Sequence, residues 1–285
     1  MAENILNSIT EQYPTLTRSS KKLADYIFTH TGDAQYLSIT TLAENSGVSE
    51  ATITRFCRGL GLSGYNDFKL ALAKSERTTD LGDPSHSPES ITAEDDCSSM
   101  CKKIQDSLIQ SVNETYELLN QSALQKAIDL LSNARHVYCF GQGGSNIMAM
   151  EAWGRFSTTT SNFIHIADSH MQAMAASLST EEDVVLFFSY SGATKDMEDI
   201  LKTAYKNKTP IILITHFSKC RGADYADVIL LCGYNESPLQ SGSVAAKVGQ
   251  MYLIECLFYG YSQKNPELRA SSRSITAEAI AKKLL

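Results

Sequence analysis

Two short stretches place glycines and hydroxyls where a backbone could hold a small anion. The first, Gly141-Gln142-Gly143-Gly144-Ser145, follows the apolar run His136 to Gly141 and leads into a helical pattern opening at Asn146. Its three glycines let the chain turn sharply and approach a ligand, and a helix start offers free N–H groups. A GxGxxG dinucleotide fingerprint begun at Gly141 would need a glycine where Asn146 stands, so that reading is weak. The second stretch, Ser189-Tyr190-Ser191-Gly192-Ala193-Thr194, follows the run Asp183 to Ser189 and precedes another helix beginning near Thr194. Ser189, Ser191 and Thr194 supply three hydroxyls and Gly192 lets the chain fold tightly, which suits a phosphate monoester. Lys195 follows Thr194 instead of preceding a serine or threonine, so a nucleoside triphosphate loop does not fit. The plainer alternative is that these hydroxyls only cap a helix.

Catalysis would need more. Moving a proton between the carbons of a sugar takes a base, usually Glu or His, and a partner. Glu151, His165, His170, Glu236 and Glu255 are available, and none stands in a recognisable pair. An isomerase is therefore the alternative, with no catalytic residue assigned and a non-enzyme preferred. The seven cysteines are scattered without a CxxC pair, so no disulfide framework, metal site or cofactor is expected. Cys97 and Cys101, four apart, read as free thiols on one helix face.

A third spacing points to a different chemistry. From Ile39 to Phe56 the chain reads ITTLAENSGVSEATITRF. Small Ala43 allows two helices to approach, Gly47 supplies the left-handed turn, and Leu42, Val48, Ile53 and Phe56 form the core between them. Ser49 serves as N-cap and Glu50 sits in the first turn. Such a pair is a helix-turn-helix. Its second helix would present Ser49, Glu50, Ala51, Thr52, Thr54 and Arg55 to the major groove, with Thr52 and Arg55 as base-contact candidates. Arg58 and Lys69 would meet phosphates, as could Lys74. The bland reading is an αα-hairpin packing on its own neighbours.

The elements that must carry these residues fall into two groups. Residues 1–77 show helical periodicity broken by Pro14 and several glycines; 78–99 are rich in Ser, Thr, Asp and Pro and read as a linker; 100–285 form the rest. Within 100–285 a pair of amphipathic helices precedes five apolar runs, 136–141, 162–167, 183–189, 210–215 and 227–232, alternating with helical stretches. That is a doubly wound parallel α/β sheet. In a flavodoxin-like order, 2-1-3-4-5, the two glycine loops meet at the topological switch point, where ligands bind. Ser241, Gly242 and Ser243 precede the last long helix, read as Lys247 to Tyr259, and could face the same crevice.

The 285 residues suffice for two cores, and the longest apolar run is far too short for a bilayer. No basic leader and apolar stretch opens the chain, so the cytoplasm is the expected location and no membrane partner is expected. The net charge of −7 argues against a nucleic-acid partner until it is divided: residues 1–77 carry eight basic and eight acidic residues, so all of it falls on the remainder.

LTRSSKKLADYIFTH (16–30), SITTLAENSGVSEATITRFCRGLGLSGYNDFKLALA (38–73) and the α/β half together resemble the RpiR/MurR-type family of sugar-phosphate-responsive transcription regulators. The likeness covers nearly everything except the linker. It implies an all-α helix-turn-helix domain followed by a SIS (sugar isomerase) domain, a homodimer or homotetramer on double-stranded, palindromic operator DNA, and a phosphorylated sugar effector in carbohydrate metabolism. By the likeness Ser189, Ser191 and Thr194 hold the phosphate and Gly144 and Ser145 meet the sugar; Tyr190, Gly192 and Ser243 complete the effector-binding set. A SIS domain kept only as a dimer interface is a further possibility, which the intact hydroxyls of SYSGAT oppose.

Overall fold

The computed structural model of the chain describes residues 4–79, 91–234, 236, 238 and 242–283. It has two compact units, Met1–Ser107 with Asn235–Ser243, and Leu108–Tyr234 with Val244–Leu285. The linker expectation falls partly on 80–90, outside the described residues.

In the first unit, α1 (Ile5–Gln12), α2 (Arg18–Thr29), the single turn α3 (Thr31–Ala34), α4 (Ile39–Ser46), α5 (Glu50–Gly59) and α6 (Tyr65–Thr79) surround one apolar core. Ile9, Leu23, Ile27, Leu42, Ile53, Phe56, Phe68 and Leu72 make up most of it. The α4–α5 pair is the helix-turn-helix. Each helix opens on a serine that accepts a backbone N–H three residues on, Ser38 from Thr41 at 3.0 Å and Ser49 from Thr52 at 3.2 Å. Between the helices Gly47 takes φ +66°, a conformation costing a residue with a Cβ about 1–2 kcal/mol. Leu42 and Ile53 are fully buried, Phe56 nearly so, and Val48 packs against them half-buried.

The long helix α7 (Cys97–Glu117) follows, and the division between the two units falls inside it, after Ser107. The second unit then runs α8 (Gln121–Asn133), β1 (Val137–Gly141), α9 (Gly144–Ser157), β2 (Phe163–His165), α10 (Ser169–Leu178), β3 (Val184–Phe188), α11 (Lys195–Lys206), β4 (Ile211–Thr215), β5 (Val228–Leu231), α12 (Val244–Lys264) and α13 (Pro266–Ala281).

All five strands pair in parallel in the order β2-β1-β3-β4-β5, with Gly141 of β1 opposite Phe188 of β3. The central strand shows why its sequence is a continuous apolar run. Val184, Leu186 and Phe188 face a layer that includes Met148 and Phe156 of α9 and Leu253 and Leu257 of α12, whereas Val185 and Phe187 face Met197, Ile200 and Leu201 of α11. Burying each large side chain contributes about 1.5–3 kcal/mol. At the other end of the sheet Asp183, its side chain fully buried, accepts from Arg135 Nη2 at 3.0 Å and pairs with His136, clipping the starts of β1 and β3 together.

Three elements differ from the sequence reading. Helix α9 starts at Gly144, two residues before Asn146, because Gly143 at φ +54° redirects the chain early. Helix α12 extends the expected span at both ends. Helix α13 gave no apolar periodicity to read, and none of its residues is buried.

Candidate functional site

The first loop is built by steric exclusion. A Cβ on Gly141 would lie 2.6 Å from the Ser145 carbonyl oxygen, because the first turn of α9 folds back over the end of β1. Gln172, fully buried on α10, donates its amide to the carbonyls of Gly141 (3.0 Å) and Ile166 (2.7 Å), fixing the loop from below. Gly143 and Gly144 are exposed, and α9 has no side-chain cap and no acidic residue in its first turn. The N–H groups of Ser145 and Asn146 donate back to the Gln142 and Gly143 carbonyls, each at 3.1 Å, so what this helix start offers an anion is chiefly its dipole.

The second loop leaves β3 beside it. Ser189 is buried, and its Oγ accepts the Gly192 N–H at 3.2 Å; Ser191 Oγ lies 3.4 Å from the Ala193 nitrogen. Gly192 takes φ +58° over the thiol of Cys220, where an added Cβ would stand 2.8 Å from the Cys220 Cβ and 3.0 Å from Thr215 Oγ1. Burial pushes the Cys220 thiol up, so it fills space as a neutral group. Tyr190 stacks on His216 at 5.0 Å and 7°, and its hydroxyl donates to the Tyr234 carbonyl at 2.9 Å.

Thr194 occupies the N-cap position of α11 without capping it. Its hydroxyl instead donates to Gln142 Oε1 at 3.4 Å, across the gap between the loops. Gln142 also reaches Gln172, at 3.5 Å. The sequence reading missed Gln142, although a lone amide among three glycines was a visible signal. It also missed Lys247 as a site residue: one turn into α12, its Cε and Nζ lie 3.6 and 4.0 Å from where a Cβ on Gly144 would sit. Nothing local in the sequence marks that lysine.

The second unit therefore brings Gly144, Ser145, Ser189, Tyr190, Ser191, Gly192 and Thr194 to the carboxyl ends of β1 and β3. Ser243 belongs to the segment grouped with the first unit; its N–H donates to Glu236 Oε1 at 2.7 Å, and Gly242 N–H to the other oxygen at 3.2 Å. Ser241 lies outside the described residues.

The possible bases are not assembled. Glu255 is ion-paired with Arg155, whose guanidinium also sits 3.7 Å from the centre of the Phe258 ring. Glu151 and His170 are exposed, and Glu236 holds backbone N–H groups. His165 Nε2 is 2.9 Å from Asn146 Oδ1, and burial holds its pKa below the usual imidazole value. Among the described residues no group of three His, Cys, Asp or Glu side chains could hold a metal ion. Nor is any described helix long and apolar enough to cross a membrane.

In the first unit, Ser49, Ala51, Arg55 and Arg58 are exposed along α5, with Thr52 and Thr54 half-buried beside them. Arg55 Nη2 lies 3.5 Å from Thr52 Oγ1, and Ser49 Oγ 3.0 Å from the same hydroxyl. Glu50 accepts from Thr40 Oγ1 at 2.6 Å and so ties α5 to α4. Lys69 is half-buried with its ammonium 5.9 Å from the Tyr65 ring centre, and burial lowers its pKa to about 8.

A helix-turn-helix unit and a five-stranded α/β unit with a paired-loop crevice define a two-domain transcriptional regulator. Residues 3–78 match the helix-turn-helix domain of the rpiR family and residues 130–259 the SIS domain. An uncharacterized HTH-type transcriptional regulator of Caldanaerobacter subterraneus is 32% identical over 92% of this chain and 91% of its own length. The HTH-type transcriptional regulator HexR of Escherichia coli is 31% identical over 91% and 88%. The Vibrio vulnificus NanR protein complexed with ManNAc-6P superposes with a TM-score of 0.87 at 28% identity, covering 99% of both chains. The chain belongs to the RpiR family of HTH-type transcriptional regulators that carry a SIS domain.

Proposed function

We propose that the crevice between GQGGS and SYSGAT binds a phosphorylated sugar, and that this ligand changes the affinity of the helix-turn-helix for its operator. The observation that carries the reading is the convergence of two loops on one opening: Thr194 turns from its own helix toward Gln142 of the other loop. Ser189, Ser191 and Thr194, with the α11 N–H groups, take the phosphate. Gly144 and Ser145, with Gln142 and the ammonium of Lys247, take the sugar. Tyr190 and Gly192 shape the loop; Ser243, which the sequence adds to this set, lies in the segment grouped with the first unit. The likeness to NanR complexed with ManNAc-6P supports this choice of ligand class.

Arg55 and Thr52 read base edges, with Ser49, Glu50 and Thr54 beside them, while Arg58 and Lys69 neutralise phosphates. The chain works as a cytoplasmic homodimer or homotetramer on a palindromic site, the DNA-binding domain being 1–77, the linker 78–99 and the SIS domain 100–285. Supporting self-association, Ile147, Met150 and Trp153 of α9 and Met171, Met174 and Leu178 of α10 are all more than 40% exposed. The reading is of a receptor and not an isomerase: among the described residues His165, bonded to the Asn146 amide, has no acid–base partner, and Glu255 is tied to Arg155.

The test is a thermal-shift panel of sugar phosphates and their dephosphorylated parents, followed by operator titrations. A sugar phosphate that raises the unfolding midpoint and alters operator affinity supports the reading. Equal effects of sugar and sugar phosphate, or none from any, would falsify it.

A further inference from the structure

We infer that Tyr190, Tyr234 and Glu114 form a relay that passes the ligand state of the SYSGAT loop to α7. The inference rests on the phosphosugar reading above and adds how that site is connected.

Tyr190 stands between Ser189 and Ser191, so a loop closing on an anion must carry its backbone along. Its ring has little freedom: it stacks on His216 and meets Phe217 edge-on at 6.0 Å. The His216 N–H and the Thr215 hydroxyl both bond to the Tyr190 carbonyl at 3.0 Å. A shift of the loop is therefore felt at the phenol, whose hydroxyl donates to the Tyr234 carbonyl.

Tyr234 is the receiving element because its backbone is strained. It is buried and holds φ +75°, a region that a bulky side chain rarely adopts. Hydrogen bonds grip it from both sides, Tyr190 on its carbonyl and Glu114 Oε2 on its N–H at 2.6 Å. The preceding Gly233 donates to Thr115 Oγ1 at 2.9 Å, and is so close to α7 that a Cβ on it would lie 2.7 Å from the Thr115 nitrogen. Gln110 Nε2 donates to Glu114 Oε1 at 2.6 Å, which aims the carboxylate. One turn earlier Ser111 Oγ donates to the Ala245 carbonyl at 2.6 Å, so the same helix also holds the start of α12, which bears Lys247.

A strained residue gripped at both its N–H and its carbonyl has a held and a relaxed arrangement, and a ligand favouring one of them shifts the balance. The receiver, α7, is the helix inside which the two compact units divide, and its N-terminal end leads back along the chain to the DNA-reading unit. A pure structural clip would use the same bonds but would not change occupancy with ligand.

The two roles separate in the full-length protein. Glu114→Ala removes the acceptor, Glu114→Gln keeps an oxygen there, and Gln110→Ala, at an exposed position, frees the carboxylate without deleting it. The probes are ManNAc-6P, glucose 6-phosphate and fructose 6-phosphate, with affinities read by calorimetry. Operator affinity is read by fluorescence anisotropy, with and without saturating probe, on a fragment selected for binding. Wild type should shift its operator affinity by about fivefold or more with the probe that binds. Glu114→Ala should bind that probe and unliganded operator within about threefold of wild type, yet show less than about half of the logarithmic shift. Gln110→Ala should fall between, and Glu114→Gln should keep the wild-type shift. A full shift in both alanine variants overturns the relay and leaves the effector reading standing. Loss of probe binding in both overturns it too, marking the bonds as belonging to the pocket. A wild type that binds none of the probes refutes the phosphosugar reading for these sugars and the relay with it.

Discussion

The Thr194 hydroxyl lies 3.4 Å from Gln142 Oε1, so the side chain at the N-cap of α11 bonds to the neighbouring loop and not to its own helix. A threonine used as a cap stabilises a helix by about 1 kcal/mol. Here that contribution is absent, and the hydroxyl is free to exchange Gln142 for a ligand oxygen. Thr194→Ala should therefore leave the unfolding free energy within about 0.5 kcal/mol of wild type. It should weaken sugar-phosphate binding by about 1.5–3 kcal/mol, the range for a hydrogen bond to a charged group. Chemical denaturation and calorimetry on one preparation read both numbers. A large stability loss with unchanged binding would assign Thr194 to the helix and not to the site.

Gly192 faces the opposite demand. Its left-handed backbone alone would cost an alanine about 1–2 kcal/mol, and the contact with Cys220 and Thr215 adds overpacking of about 1–3 kcal/mol. Gly192→Ala should lower the denaturation midpoint of the α/β unit and weaken effector binding. Pairing it with Cys220→Ala removes the thiol contact and should restore part of the packing contribution, leaving the backbone cost and the contacts with the Cβ of residue 220 and with Thr215. An additive double variant would show that the two residues do not press on each other.

On the DNA side, Arg55 and Ser49 give separable outcomes. Arg55→Ala should cost about 1–3 kcal/mol of operator affinity and relax discrimination at one base position if the guanidinium reads a base edge. Ser49→Ala should cost about 1 kcal/mol of fold stability by removing the bond from the Thr52 N–H. Binding titrations against single-base operator variants settle the first, and thermal denaturation the second. Equal loss of affinity on every sequence would move Arg55 to the phosphate-contact group.

Acid should loosen the first loop through His165. Burial holds its folded-state pKa below the ordinary imidazole value, so the unfolded chain binds the proton more readily. Its contribution to stability is complete above an unfolded pKa of about 6.5 and is lost as the pH falls through that value toward the folded one. The unfolding midpoint should drop between about pH 7.5 and 5.5, and His165→Gln should flatten that stretch of the profile. An identical profile in the variant would place the titration elsewhere.

Much of this arrangement could be read from the chain before folding. Five apolar runs separated by helical stretches specify a parallel sheet because its strands are covered on both faces, as Val184 to Phe188 show. Glycine positions announced both loops and the turn at Gly47 because only a missing side chain tolerates those backbones. What could not be read is proximity between distant residues. Gln142 and Thr194 are 52 apart in sequence, and Lys247 is farther still from Gly144. No periodicity encodes their meeting. Tyr234 is a different case: its positive φ follows from bonds made by Tyr190 and Glu114, and tyrosine is not a residue that advertises such a backbone. Helix α13 escaped notice because it has no buried face to leave a pattern.

The exclusion of side chains at Gly141 and Gly192 divides the crevice into a floor that cannot be rewritten and a rim that can. Any variant at either glycine collides with main chain or with packed neighbours before it meets a ligand. On the proposed function the floor is thus the same whatever sugar is offered, and selectivity comes from the rim, where Gln142, Ser145 and Lys247 stand. A library aimed at a new effector should randomise those three positions and leave both glycines alone.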